Sequence, residues 1–110
     1  MIDFDPSGIN KLIHSPIRLG IMTILNSLEE VSFNYLKERL DVTDGNLSSH
    51  IEKLEGAKYI KTRKTFIDKK PHTSYRITEK GGKAFKGYIE LLEGIIKREY
   101  KHEDSNNPTS

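Results

Sequence analysis

A chain of 110 residues, 35% hydrophobic and 31% charged, holds one domain's core and leaves little room for a separate catalytic domain. The absence of cysteine removes disulfide frameworks, thiolate metal sites and cysteine nucleophiles, and it fits a reducing cytoplasm. The net charge of +2 is too small to imply a polyanionic partner by itself.

The run Met1-Ile2-Asp3-Phe4-Asp5 carries two acids and no basic stretch, so no secretory leader is expected. Ile9, Leu12 and Ile13 predict a short helical turn. Ser15-Pro16 then opens a first helix, the serine as capping hydroxyl and the proline at the first helical position. Ile17, Ile21, Ile24, Leu25 and Leu28 share one face of it, to about Leu28. Ser32 caps a second helix with Phe33, Leu36 and Leu40 along its stripe, and Leu40-Asp41-Val42-Thr43 breaks it. The third helix, 43–57, is capped by Thr43. Leu47, Ile51 and Leu54 form its inner face, with Asn46, Ser49, His50 and Lys53 opposite and Gly56 near its end.

From Tyr59 the period changes. Residues 59–66 are rich in β-formers, Asp68-Lys69-Lys70-Pro71 is a turn cluster, and 73–77 reads as a returning strand, so 59–77 is a hairpin. Thr78 caps a last helix, about 78–100, lined by Phe85, Tyr88, Ile89, Leu92, Ile95, Ile96 and Tyr100 and widened by Ala84 and Leu91. That is more apolar surface than so small a domain covers. Tyr88, Leu91, Leu92, Ile95, Ile96 and Tyr100 are therefore expected at an interface between two copies, with a contact to Ile2 and Phe4 as the intramolecular alternative. The polar tail 101–110 is expected to be disordered. No apolar run nears the roughly 20 residues that span a bilayer, so no membrane partner is expected.

Charge is unevenly placed. Residues 58–72 hold six basic side chains and one acid, net +5, whereas 29–57 hold three basic and seven acidic, net −4. The order helix, helix, helix, hairpin, helix, with a short turn between the second and third, is a helix-turn-helix followed by a wing. The expected class is mainly α with a small β-hairpin (α+β): a winged helix-turn-helix with an additional C-terminal dimerisation helix. Such a motif lays its second helix in the major groove. Here that helix offers Thr43, Asn46, Ser48, Ser49, His50 and Lys53, a polar face suited to base edges, which present donors and acceptors rather than net charge. Gly45 admits close backbone approach. Affinity needs phosphate neutralisation, which Lys61, Arg63, Lys64, Lys69 and Lys70 of the hairpin supply.

The run Asn46-Leu47-Ser48-Ser49-His50-Ile51-Glu52-Lys53-Leu54-Glu55-Gly56-Ala57-Lys58-Tyr59-Ile60 resembles the recognition helix and first wing strand of MarR- and ArsR-like winged-helix regulators. Tyr75-Arg76-Ile77-Thr78-Glu79-Lys80-Gly81 resembles their second wing strand leading into the next helix. The likeness spans roughly Pro16 to Phe85, and it is nearest the compact single-domain regulators of archaea and bacteria. It implies a homodimer in the cytoplasm, at the nucleoid, on double-stranded DNA with a pseudo-palindromic operator. One departure stands out: Lys58 occupies the position where the pattern has glycine or another small residue, and Gly56 lies two places earlier.

No phosphate loop, catalytic triad or metal spacing is present, so neither an enzyme nor a cofactor is expected. The four histidines, His14, His50, His72 and His102, are scattered, and no metal site is expected. The effector, if there is one, has no residues that the sequence assigns. The competing reading is a winged-helix module that binds protein. Five wing cations argue against it, since a protein partner has less need of them.

Overall fold

The computed structural model describes the backbone of residues 8–106 and the side chains of residues 8–97. The order is α1 (Pro16–Ser27), β1 (Val31–Ser32), α2 (Phe33–Leu40), α3 (Asp44–Gly56), β2 (Ile60–Ile67), β3 (Lys70–Ile77) and α4 (Glu79–Asn106).

Before α1, the Asn10 side chain accepts hydrogen bonds from the Leu12 and Ile13 amides, and the His14 N–H reaches the Asn10 carbonyl at 2.9 Å. This single helical turn buries Ile13 completely. At α1 the expectation for Ser15 is half met. It is the N-cap residue, but its hydroxyl makes no capping bond; its carbonyl accepts from Leu19 N–H instead. Pro16, with φ already helical and no N–H to satisfy, starts the helix without that help. Ser32 and Thr43 cap as expected, their hydroxyls accepting from the N–H of Tyr35 at 3.0 Å and Asn46 at 3.1 Å. Between α2 and α3 the chain turns at Asp41, whose left-handed φ of 51° an aspartate tolerates.

One hydrophobic core joins all elements. Ile21, Met22 and Leu25 of α1 meet Leu36 of α2 and Leu47, Ile51 and Leu54 of α3; Val31, Ile60 and Tyr75 close the sheet side, Phe85 and Tyr88 the α4 side. Leaving water stabilises such side chains by about 1.5–3 kcal/mol each, which is why the helical stripes of the sequence fix the packing. The sheet has three strands in the order β1-β3-β2, all antiparallel. Strand β1 was not foreseen: at two residues it shows no alternation, and it forms because Val31 and Ser32 lie beside Tyr75 and Ser74.

The hairpin turn is also tighter than the sequence reading. Ile67 pairs with Lys70, leaving Asp68 and Lys69 as a two-residue loop with φ of 51° and 66°. This is the turn handedness that matches strand twist. Pro71 therefore lies in β3 opposite Phe66, not in the turn. Proline is tolerated there because β1 reaches only as far as Ser74, so the outer edge at Pro71 is open.

Helix α4 starts as expected, with Thr78 Oγ1 accepting from Gly81 N–H at 3.0 Å. It continues to Asn106, past the end expected near Tyr100, because Lys101 to Asn106 holds no glycine or proline to stop it. The first part of the tail expected to be disordered is thus helical backbone; residues 107–110 lie outside the described residues. Among the described residues no helix is long and apolar enough to cross a membrane.

Candidate nucleic-acid interface

Helix α3 has three sides, set by its packing. Leu47, Ile51 and Leu54 point into the core. The outermost side, at helical spacing, carries Gly45, Ser49 and Glu52, flanked by Asn46 and Lys53, and all five are exposed. Ser48 and Glu55 form the third side and look across to the wing. Asn46 and Lys53 make no ion pair or side-chain hydrogen bond among the described residues, so their polar groups face solvent.

The ends of α3 are held firmly. At the C-terminus, Tyr59 N–H bonds Leu54 C=O at 3.0 Å and Lys58 N–H bonds Glu55 C=O at 2.9 Å. That pair of bonds, with Lys58 at φ 64°, is a Schellman cap. Lys58 thus takes the left-handed position usual for glycine, and Gly56 is the last ordinary helical residue. The next link is equally tight. Tyr59 C=O accepts from Thr78 N–H at 3.0 Å and lies 2.0 Å from where a Cβ on Gly81 would sit. Only glycine lets the start of α4 approach the α3–β2 junction this closely.

His50, expected at the DNA, is half-buried and is held by a residue of α1. Its Nδ1 lies 2.8 Å from Arg18 Nη1 of α1, so Nδ1 accepts and Nε2 carries the proton. Arg18 is anchored in turn, donating from Nε to Leu12 C=O. Burial first, then the charges of Arg18 and Lys53, lower the His50 pKa below its ordinary 6.5. Sequence reading missed Arg18: nothing in a lone arginine on an apolar helix foretells a partner 32 residues on. Glu52 was also passed over, although its spacing of three from Ser49 put it on the outer face.

The wing cations do not act as one cluster. Antiparallel pairing places Thr62 with Tyr75 and Lys64 with Thr73, and these four line a cleft of about 560 Å³ facing Ser48, Ile51 and Glu55 of α3. Alternation puts Lys61, opposite Arg76, and Arg63, opposite Ser74, on the other face of the sheet. There Glu30 engages Arg63 at 3.4 Å and Glu29 engages Arg76 at 3.8 Å. Lys69 and Lys70 occupy the tip, exposed, as Lys64 is. These three make no ion pair among the described residues. Thr62 donates to the Glu55 carboxylate across the cleft, and burial, then that carboxylate, raises the Tyr75 pKa.

The α4 stripe divides in two. Tyr88, expected at an interface between copies, is a core residue of the protomer: 4% exposed, its hydroxyl 2.8 Å from His14 Nδ1. Helical spacing from Phe85 carries it inward, where His14 supplies the polar partner a buried tyrosine needs. Leu92 packs against the core edge, half-buried. Leu91 and Ile95 are half-buried outside that core, and Ile96 is 64% exposed. The side chain of Tyr100 lies outside the described residues.

Comparison with known proteins agrees with this geometry. The profile of a family described as winged helix DNA-binding domain matches residues 17–96. An uncharacterised protein of Methanocaldococcus jannaschii is 45% identical over 84 residues, which are 76% of this chain and 91% of that one. A solved transcriptional regulator homologue from Pyrococcus horikoshii superimposes with a TM-score of 0.74 at 36% identity, over 78% of this chain and 85% of that one. The transcriptional regulator BldR from Sulfolobus solfataricus shares the fold at 20% identity, with a TM-score of 0.63 over 86% of this chain and 63% of its own.

Proposed function

The chain belongs to the winged helix DNA-binding domain family, and from that premise we propose that it is a homodimeric transcriptional regulator that reads a pseudo-palindromic operator. The observation that carries this reading is a division of labour on one side of the molecule. An exposed polar face on α3 lies beside a wing whose Lys64, Lys69 and Lys70 are free of ion pairs among the described residues.

In this reading α3 enters the major groove, its N-terminal end foremost. Asn46 pairs bidentately with an adenine edge, and Ser49 and Thr43 bond bases or phosphate. Glu52 accepts from a cytosine amine and repels phosphate, which adds selectivity at a cost in affinity. Lys53 and the three wing lysines hold the backbone. His50 and Arg18 act from the flank: Arg18 orients the imidazole so that its Nε2–H faces outward as a donor. Lys61 and Arg63 contribute mainly to the general field.

Dimerisation is supported by α4. Its 28 residues extend about 42 Å, yet among the described residues its core contacts reach only to Leu92. Leu91, Ile95 and Ile96 continue the apolar stripe beyond the protomer, and a second copy of α4 would cover them. Two α3 helices would then meet successive major grooves, about 34–36 Å apart.

The test is anisotropy of a labelled duplex across a salt series, beside the double variant Lys69→Glu, Lys70→Glu. Steep salt dependence that flattens in the variant supports phosphate contact by the wing. Absence of binding by the folded protein at low salt rejects the DNA reading and leaves the protein-interaction module.

A further inference from the structure

The wing tip carries more than charge. Phe66 is 75% exposed and Ile67 54%, the most open large apolar side chains of the sheet. An apolar pair at the end of a hairpin is a liability in a solvated domain, since an open strand edge bearing it invites aggregation. Nor do these two sit on a slack loop. Pairing runs unbroken from Ile60↔Ile77 to Ile67↔Lys70, so both residues stand on a stiff ribbon closed by a two-residue turn. That turn keeps Lys69 at φ 66°, where glycine would be relaxed. Charge thus persists at the tip against the backbone's preference.

Charge and apolar surface are interleaved. Lys64 and Phe66 share the face toward α3, Ile67 and Lys70 share the other, and Lys69 caps the end. Lysines on both sides of an exposed phenylalanine complement a double helix, where two phosphate rows border a narrow groove with flat base pairs at its floor. Side chains of this kind can part stacked base pairs and bend the duplex.

We propose that the wing tip is an apolar wedge: Phe66, backed by Ile67, enters the minor groove next to the α3 contact and unstacks one base step, while Lys64, Lys69 and Lys70 hold the phosphates beside it. The proposal rests on the DNA reading above and adds a specificity element to it. The wedge favours easily unstacked pyrimidine–purine steps at that position, although no hydrogen bond reads them.

The test uses the full chain and a duplex that it selects from a random pool, with 2-aminopurine placed in turn at each position flanking the selected half-site. Binding of the unmodified protein should raise the fluorescence at one step. Phe66→Ala should abolish that rise and weaken binding about tenfold. It should leave the slope of log affinity against log salt unchanged, because the ring neutralises no phosphate. Phe66→Leu should keep most of both effects. Lys69→Ala should do the reverse, lowering the salt slope by about one while the fluorescence rise stays. The open position of Phe66 makes these variants harmless to folding. Tight binding with no fluorescence change at any position overturns the wedge and leaves the DNA reading standing, as does full affinity in Phe66→Ala. If Phe66→Ala changes the sedimentation of the free protein instead, the tip joins copies of the chain and the wedge is wrong. If no duplex is selected or bound even at low salt, the DNA reading falls and the wedge with it.

Discussion

Helix α3 and the wing are neighbours in sequence and built on opposite plans. Helix α3 is capped at both ends, packed along one side by Leu47, Ile51 and Leu54, and net −2 from three acids and one lysine. The wing is held along its lower half, by Ile60, Tyr75, the pairing with β1, the Thr62–Glu55 bond and the Arg63–Glu30 pair, and its outer end stands free. It is net +5 over residues 60–77, and it ends in two exposed apolar side chains. The difference teaches where precision is needed. Hydrogen bonds to base edges would fail if a donor moved by an ångström, so the proposed reading role of α3 calls for the firm tie to the core that it has. Phosphate attraction declines gently with distance, so a ribbon fixed at one end suffices.

The junction between the two is the place to break this arrangement. A Cβ at Gly81 would meet Tyr59 C=O at 2.0 Å, and the backbone there cannot step aside without disturbing the α3 cap. Gly81→Ala should cost about 3 kcal/mol, as overpacking does, seen as a lower midpoint in urea. An unchanged midpoint would show that α4 and the α3–β2 junction are not rigidly joined.

Within the interface, the two regions should respond differently to loss of one side chain. Asn46→Ala should relax base preference at one operator position and weaken the best site by roughly 1–3 kcal/mol. Lys64→Ala should weaken all sequences alike. Repeating operator selection with both variants separates these outcomes, and unchanged base preference in Asn46→Ala would remove it from the reading set.

A smaller effect sharpens the contrast in backbone terms. Lys58 and Lys69 both hold positive φ. Substitution by glycine at either should stabilise the fold by up to about 1 kcal/mol. At Lys58, which is part of the α3 cap, duplex affinity should change little. At Lys69 the fold should gain while affinity and the salt slope fall. Thermal melts beside duplex titrations test this, and equal losses of binding at the two sites would count against a special role for the tip.

The least effect is a pH dependence at His50. Its pKa is lowered by burial, then by Arg18 and Lys53. The folded protein therefore holds this proton more weakly than the unfolded chain does. The stability linked to it is complete above 6.5 and declines as pH falls below that value. Titration of the imidazole by NMR should give a midpoint under 6.5, and Arg18→Ala should move it up only in part, because burial is the larger cause. A midpoint unmoved by Arg18→Ala would mean that the pair does not persist in solution.

Much of this was legible one residue at a time. The caps at Ser32, Thr43 and Thr78, the inward stripe of α3 and the change of period at Tyr59 follow from local chemistry, and each is where the sequence put it. The misses share a cause. Strand β1, the Arg18–His50 bond and the burial of Tyr88 against His14 all join residues distant in the chain, which no local window connects. The Lys58 cap was obscured for another reason: composition names glycine for that position, whereas the bonds from Tyr59 and Lys58 select the geometry and impose it on lysine.

The sequence by itself determined the helix order, the polar face of α3, the basic hairpin and an apolar stripe on α4 longer than the domain, because periodicity and charge are properties of short segments. Only the tertiary structure decided how those segments divide. It turned Lys61 and Arg63 to the far face of the wing, where Glu29 and Glu30 engage its arginines. It left Lys64, Lys69 and Lys70 on the α3 side and the tip, drew Tyr88 into the core and left Phe66 in water. The reason is physical: a side chain's face is set by register and packing, and both depend on residues far away in the chain.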